Sequence, residues 1–263
     1  MDRTYELMFA SLIFILFLTV AAAPALVSGD ASWNVTDISD PDRALVDSDV
    51  IRINSDAELA ANAARGSGSV SDPYVIEDLR IDATGHYSGI FIGNTTAHLV
   101  ISGCNISGAV SGSEFMNELV RGNAIMLYMS SNVTVEDCSV HSCPTGIDML
   151  SSNNVTVRNN TAYSLTMNGI AATGSMFGPS DSGSHDVLIE NNVAWTVSSG
   201  VSSQTHSHNV TIRGNSVTDA TFYGITVSQS ANVVVENNNC SGNDRYGISI
   251  GSGSSYCRAA NNT

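Results

Sequence analysis

The chain has 263 residues, and its 43% apolar content is enough for a continuous core. Its charge is lopsided: 25 acidic residues stand against 10 arginines, there is no lysine, and the net charge is −15. A surface of that sign repels phosphate backbones, which argues against nucleic acid as a partner; it fits a soluble surface protein or one that attracts cations.

The first 29 residues read as a signal peptide. Arg3 lies in a short polar leader, Met8 to Ala23 is almost purely apolar, and Val27-Ser28-Gly29 offers small residues for cleavage before Asp30. The alternative is an uncleaved anchor, since Met8 to Val27 is about long enough to cross a bilayer, and this is the only membrane contact the sequence suggests. In either case the rest of the chain is exported. Asp30 to Val50 is acidic and irregular and reads as a linker. Ser55-Asp56-Ala57-Glu58 then opens a short Ala-rich helix to about Ala64, because Ser-x-x-Glu is the spacing of a reciprocal capping box. A helix here would cover the open end of a stacked core. Gly66 to Ser71 is a loop, and Pro73 to Ile81 begins the first full coil.

From there the chain repeats. A Gly-Ile-like start recurs at Gly89, Ala124, Gly146, Gly169, Gly200, Gly224 and Gly247, with spacings of 35, 22, 23, 31, 24 and 23 residues. Insertions at Gly108 to Gly122 and Gly174 to Ser184 account for the two long spacings. A second landmark keeps phase: Asn132-Val133-Thr134-Val135 returns as Asn154-Val155-Thr156-Val157, Asn209-Val210-Thr211-Ile212 and Asn232-Val233-Val234-Val235. Apolar residues alternate with a period of two, the mark of strands with one face buried. One unit of about 23 residues cannot bury its own apolar edge, whereas stacked units can.

This predicts an all-β, right-handed parallel β-helix over residues 51–263, with an inward ladder Ile90, Ile125, Ile147, Ile170, Val201, Ile225, Ile248 and a second one Val133, Val155, Val187, Val210, Val233. An Asn or Cys column follows each Val strand (Cys104, Cys138, Asn160, Asn192, Asn215, Asn238, Asn262), where Asn tolerates φ > 0 and bonds along the stack. Glu136, Arg158, Glu190, Arg213 and Glu236 alternate in sign at one stacked position, which supports the register. The carboxyl end stops at an Asn corner with no cover, and further coils are expected beyond it.

The segments Pro73-Tyr74-Val75-Ile76 and Gly89-Ile90-Phe91-Ile92, with the Asn-Val-Thr-Val units, resemble the parallel β-helix repeat superfamily. They are most similar to NosD-type and carbohydrate-binding β-helix proteins of archaeal and bacterial surfaces. That resemblance implies the fold. It leaves open a surface-binding protein, a copper-enzyme maturation accessory like NosD, or a polysaccharide lyase or glycoside hydrolase.

Three candidate sites follow. Glycoside hydrolysis needs paired carboxylates, but Asp148 is the only acid on the outward column Phe91, Met126, Asp148, Ala171, Ser202, Thr226, Ser249; a lyase would need a free Lys or Arg base. Sugar contact is expected at the outward column His141, Tyr163, Trp195, Thr218 and at the stacked pair Tyr223 and Tyr246, where aromatic faces can support a sugar ring. The alternative is aromatics that shield a coil edge or pack under the inserted loops. A copper or zinc site is expected if His185, His206 and His208 converge, with Met176 adding a thioether; the alternative is ordinary polar corner composition. No cofactor is otherwise implied, although copper or calcium would suit the histidines and the acidic balance. Cys104 and Cys138 lie within disulfide reach, but buried free Cys in place of Val or Asn is the favoured reading; Cys143, Cys240 and Cys257 form no Cys-x-x-Cys. Sequons at Asn34, Asn94, Asn105, Asn132, Asn154, Asn159, Asn209, Asn239 and Asn261 mark glycosylation positions, although an Asn- and Thr-rich repeat also generates them by chance. The expected partner is a polysaccharide or cell-envelope component.

Overall fold

The described residues all belong to one compact unit. In the computed structural model the described residues are 44–112, 122–175, 182–251 and 253–263. The signal segment, Asn34, Met176 and most of the linker lie outside them. No helix among the described residues is long and apolar enough to cross a membrane.

The unit is a parallel β-helix with three strand columns. The first column holds β1 (Val46–Ser48), β4 (Leu79–Asp82), β7 (Asn105–Ser107), β10 (Ser139–His141) and β13 (Thr161–Tyr163). The second holds β2 (Ile51–Ile53), β5 (Ser88–Gly93), β8 (Asn123–Tyr128), β11 (Thr145–Leu150), β14 (Asn168–Thr173) and β20 (Tyr246–Ile250). Two long strands, β16 (Val193–Gln204) and β18 (Ser216–Ser228), turn the corner and serve both columns, with a register shift between Val197 and Ser199. The third column is a separate eight-stranded sheet of β3 (Tyr74–Glu77), β6 (Leu99–Ser102), β9 (Ser131–Glu136), β12 (Asn153–Arg158), β15 (His185–Glu190), β17 (His208–Arg213), β19 (Ala231–Glu236) and β21 (Arg258–Ala260).

Both apolar ladders lie as the periodicity predicts. Ile90, Ile125, Ile147, Ile170, Val201, Ile225 and Ile248 are direct register partners from coil to coil. Val133, Val155, Val187, Val210 and Val233 are likewise in register. All belong to or pack on one continuous core, each buried Ile or Val contributing roughly 1.5–3 kcal/mol. The recurring glycine has a steric cause. A Cβ at Gly146 would sit 2.5 Å from the carbonyl oxygen of Gly169 and 2.8 Å from Val140, so at this corner a side chain has no room.

Two details differ from the sequence reading. Val46–Ser48, assigned to the linker, is already a strand paired with Leu79–Ile81, so coiling begins before the helix. Its Val-Asp-Ser sequence is too short and too polar to show alternation. The left-handed residue at the third-sheet corner is the one before the stacked Asn: Asp137, Asn159, Asn191, Gly214, Asn237 and Asn261 take positive φ. This frees the next side chain to turn inward. There Asn160, Asn192, Asn215, Asn238 and Asn262 form a largely buried amide ladder, in which each backbone amide and each Nδ2 donates to the Oδ1 of the next Asn at 2.9–3.0 Å. Cys138 occupies the same column. Its amide donates to Asn160 Oδ1 (3.0 Å), and its thiol donates to the carbonyl of Glu136 as the amides do.

The helix α1 (Asp56–Asn62) keeps one half of the expected capping box: Ser55 Oγ accepts from the Glu58 amide, while Glu58 Oε2 accepts from the amide of Asn54, one residue before the cap, in place of the Ser55 amide. Its Leu59 is fully buried in the core. After it, the chain at Arg65 pairs antiparallel with Val75 and closes the edge of β3.

Candidate functional site

The first strand column places His141, Tyr163, Trp195 and Thr218 in direct register on one outward face. Parallel strands stack at about 4.8 Å, and the rings follow that spacing. His141 and Tyr163 lie 4.8 Å apart at 19°, and Tyr163 and Trp195 lie 4.7 Å apart at 2°. His141 is held from both sides: Nε2 is 3.2 Å from Asn105 Oδ1 and Nδ1 is 3.1 Å from Ser142 Oγ. The next residue in each coil (Ser142, Ser164, Thr196, Asp219) is exposed and takes positive φ, so a polar column runs beside the rings.

This geometry alters the predicted platform. Rings stacked face to face along the axis use up their faces on one another and present edges to solvent. The sequence gives the register of a column but not the plane of its rings. Tyr223 and Tyr246 behave similarly, stacked at 5.6 Å and 14°, with the neighbouring Phe222 under the Arg245 guanidinium at 5.0 Å.

The column Phe91, Met126, Asp148, Ala171, Ser202 is in register but not open to solvent. Phe91, Met126 and Leu150 form a second apolar cluster with Tyr128 packed on it, and Arg52 lies 4.5 Å over the Phe91 ring. Asp148 is 7% exposed and accepts a hydrogen bond from Thr173 Oγ1 at 2.9 Å. Alternation along a strand fixes the direction of a side chain, whereas burial on the outer face depends on what lies over it.

His185 and His208 stack as predicted, 4.9 Å apart at 15°, but His206 does not join them. It sits in a left-handed turn, its Nδ1 is buried without a hydrogen-bond partner, and its carbonyl lies 3.3 Å from His208 Nδ1. Nitrogen lone pairs lie in the ring planes, so stacked imidazoles aim them in parallel rather than at one ion. Among the described residues no three His, Cys, Asp or Glu side chains are grouped to hold a metal. His185 Nδ1 instead meets Asp186 Oδ2 at 2.9 Å, and that contact, with the amide of Asn209, lowers the Asp186 pKa below the ordinary carboxylate value.

Neither Cys104 nor Cys138 is in a disulfide, and both are buried. Burial, then the neighbouring Cys104 thiol, pushes the Cys138 pKa well up, and burial raises Cys240 to about 12, so these thiols stay protonated and unreactive. Among the sequons, Asn94, Asn154 and Asn209 are exposed and, with Asn132, engage their amides in side-chain hydrogen bonds: Asn94 Nδ2 donates to Asn54 Oδ1 at 2.8 Å, Asn154 Nδ2 to Asn132 Oδ1 at 2.6 Å, and Asn209 Nδ2 to Asp186 Oδ1 at 3.2 Å. Asn105 Oδ1 faces His141, Asn159 is a left-handed corner residue, and Asn239 Oδ1 accepts from Ser241.

Among curated proteins none matches the sequence significantly. Of solved structures, the chain is similar to the A-module of the mannuronan C-5 epimerase AlgE6 of Azotobacter vinelandii, at 18% identity and a TM-score of 0.53, covering 72% of this chain and 50% of that one. It is also similar to PfbA, a surface adhesin of Streptococcus pneumoniae, at 13% identity and a TM-score of 0.54, covering 77% of this chain and 55% of that one. The chain thus spans about half the length of either, and at these identities the likeness concerns the fold. The family model for the right-handed beta helix region matches residues 88–263. The repeat, the three strand columns and this match agree, and the chain belongs to the right-handed β-helix family.

Proposed function

We propose that this chain is an exported, non-catalytic surface protein that binds polysaccharide or a cell-envelope glycan along its first strand column. The observation that carries this reading is the in-register His141, Tyr163 and Trp195 ladder, flanked by the polar column Ser142, Ser164, Thr196 and Asp219. Amphipathic aromatics beside hydroxyls suit a ligand with apolar ring faces and polar edges. A surface adhesin and a mannuronan epimerase both use this fold, so the fold alone does not choose between binding and chemistry. The choice for binding rests on the burial of Asp148, which is 7% exposed and bonded to Thr173, where hydrolysis calls for two carboxylates across an accessible bond.

Glycan-array binding by the full chain tests the reading. Tyr163→Ala and Trp195→Ala are expected to weaken the best glycan signal by about tenfold or more, with the circular dichroism spectrum unchanged. Binding that survives both substitutions would remove the ladder from the function.

A further inference from the structure

The aromatic ladder ends abruptly. Trp195 is covered on one face by Tyr163, 4.7 Å away. On the other face its register partner is Thr218, and no ring lies there. A threonine ends at its γ atoms and is too short to cover an indole face, and Trp195 is half-buried rather than buried. The coil beyond lowers the relief further: the Asp219 amide donates to the Gly242 carbonyl at 3.2 Å, which puts the small, exposed Ser241-Gly242 turn next in line. The result is a shelf with one aromatic wall and a floor of hydroxyl-bearing and small residues. The indole N–H has no hydrogen-bond partner among the described residues.

Carboxylates predominate around this shelf. Asp219 is exposed beside Thr218, and Asp244 is exposed one coil on, its amide bonded to the Ala220 carbonyl at 2.9 Å. The strand segments that carry the wall (139–142, 161–164, 193–196 and 216–219) contain no arginine. The nearby Arg245 is stacked over Phe222, and Arg158, Arg213 and Arg258 are paired with glutamates of the third sheet.

We infer that the open face of Trp195 over Thr218 is a subsite for a neutral pyranose ring, and that uronic-acid polysaccharides are disfavoured there. The inference rests on the glycan-binding reading above and narrows it. The ring stacks on the indole through its C–H face, its hydroxyls meet Thr218 and the Asp219 carboxylate, and a ligand carboxylate would face Asp219 and Asp244, against which the nearby Arg245 is held over Phe222.

The test uses the full chain carrying Trp33→Phe, so that Trp195 is the sole indole fluorophore. It is titrated at low salt with neutral gluco-, manno- and xylo-hexaoses and with oligomannuronate and oligogalacturonate. A neutral hexaose is expected to shift the emission and to bind at least about tenfold more tightly than either uronate. Thr218→Tyr adds one rung to the ladder and closes the shelf, so it should weaken that binding by about tenfold, while Asn154→Ala, in the third sheet away from the shelf, leaves it unchanged; matching circular dichroism spectra confirm that both variants fold. Uronates binding as tightly as the neutral sugars overturn the inference. If Trp195→Ala abolishes glycan-array binding but Thr218→Tyr does not, the shelf is wrong and the ladder reading stands. If no glycan in the panel binds, both fall.

Discussion

Asn215 shows how much one side chain can hold in this fold. Its Oδ1 accepts the Asn192 amide and Nδ2, and its own Nδ2 lies at hydrogen-bond distance from the Ile189 and Arg213 carbonyls and from Asn238 Oδ1. Asn215→Ala strands several buried groups at once, and the expected cost is roughly 2–4 kcal/mol by urea denaturation. Asn154→Ala, at an exposed position where water replaces the lost partner, should cost less than about 1 kcal/mol. Equal costs would mean that the inner ladder is incidental. The stacked column itself was legible, because a residue type recurring in phase reveals a column. Its division of labour was not: the left-handed φ belongs to Asn159 and Asn191, and the buried amide ladder to Asn160 and Asn192. Adjacent asparagines look alike in sequence, and only the backbone shows which one turns.

At the scale of elements, α1 is tied to the loop before β6 by a single carboxylate. Asp56 accepts from the Thr96 amide (2.8 Å), the Thr96 hydroxyl (2.8 Å) and the Ala97 amide (3.0 Å). Desolvation opposes its ionisation, but these donors prevail and set its pKa below the ordinary value of 3.8. A folded pKa below the unfolded one gives stability that is full above the unfolded pKa and is lost as pH falls through the folded one. Docking of α1 should therefore hold at neutral pH and weaken below about pH 4. Hydrogen exchange at the amides of 57–62 would show this as faster exchange in acid relative to the β-strands, and Asp56→Asn should abolish the pH dependence. The helix itself was legible from its capping box. Its anchor was not, because Asp56 and Thr96 are 40 residues apart and neither belongs to the repeat. The His141, Tyr163 and Trp195 column was legible for the opposite reason: all three sit within the periodic part of the chain. The stacked ring planes, the absence of His206 from the imidazole pair and the burial of Phe91 to Ser202 depend on three-dimensional surroundings that no period encodes.

The whole unit is close to one-dimensional, since each coil touches mainly its two neighbours. Deleting residues 209–231 joins His208 to Asn232, and because Val210 pairs with Val233 every remaining column stays in phase. That variant should fold with its strand spectrum intact and a scattering length shorter by about 4.8 Å. Deleting 209–220 moves the downstream columns out of register and should prevent folding beyond that point. If both deletions behave alike, stacking register is not what holds the molecule together.

The antiparallel pairing of Arg65 with Val75 also has a bearing on descent. A segment running backwards along β3 gives a newly duplicated parallel coil nothing to copy on that side. Coils can therefore be added by duplication within the array or on the side away from α1, and the reversed segment marks the edge at which a parallel copy finds no partner.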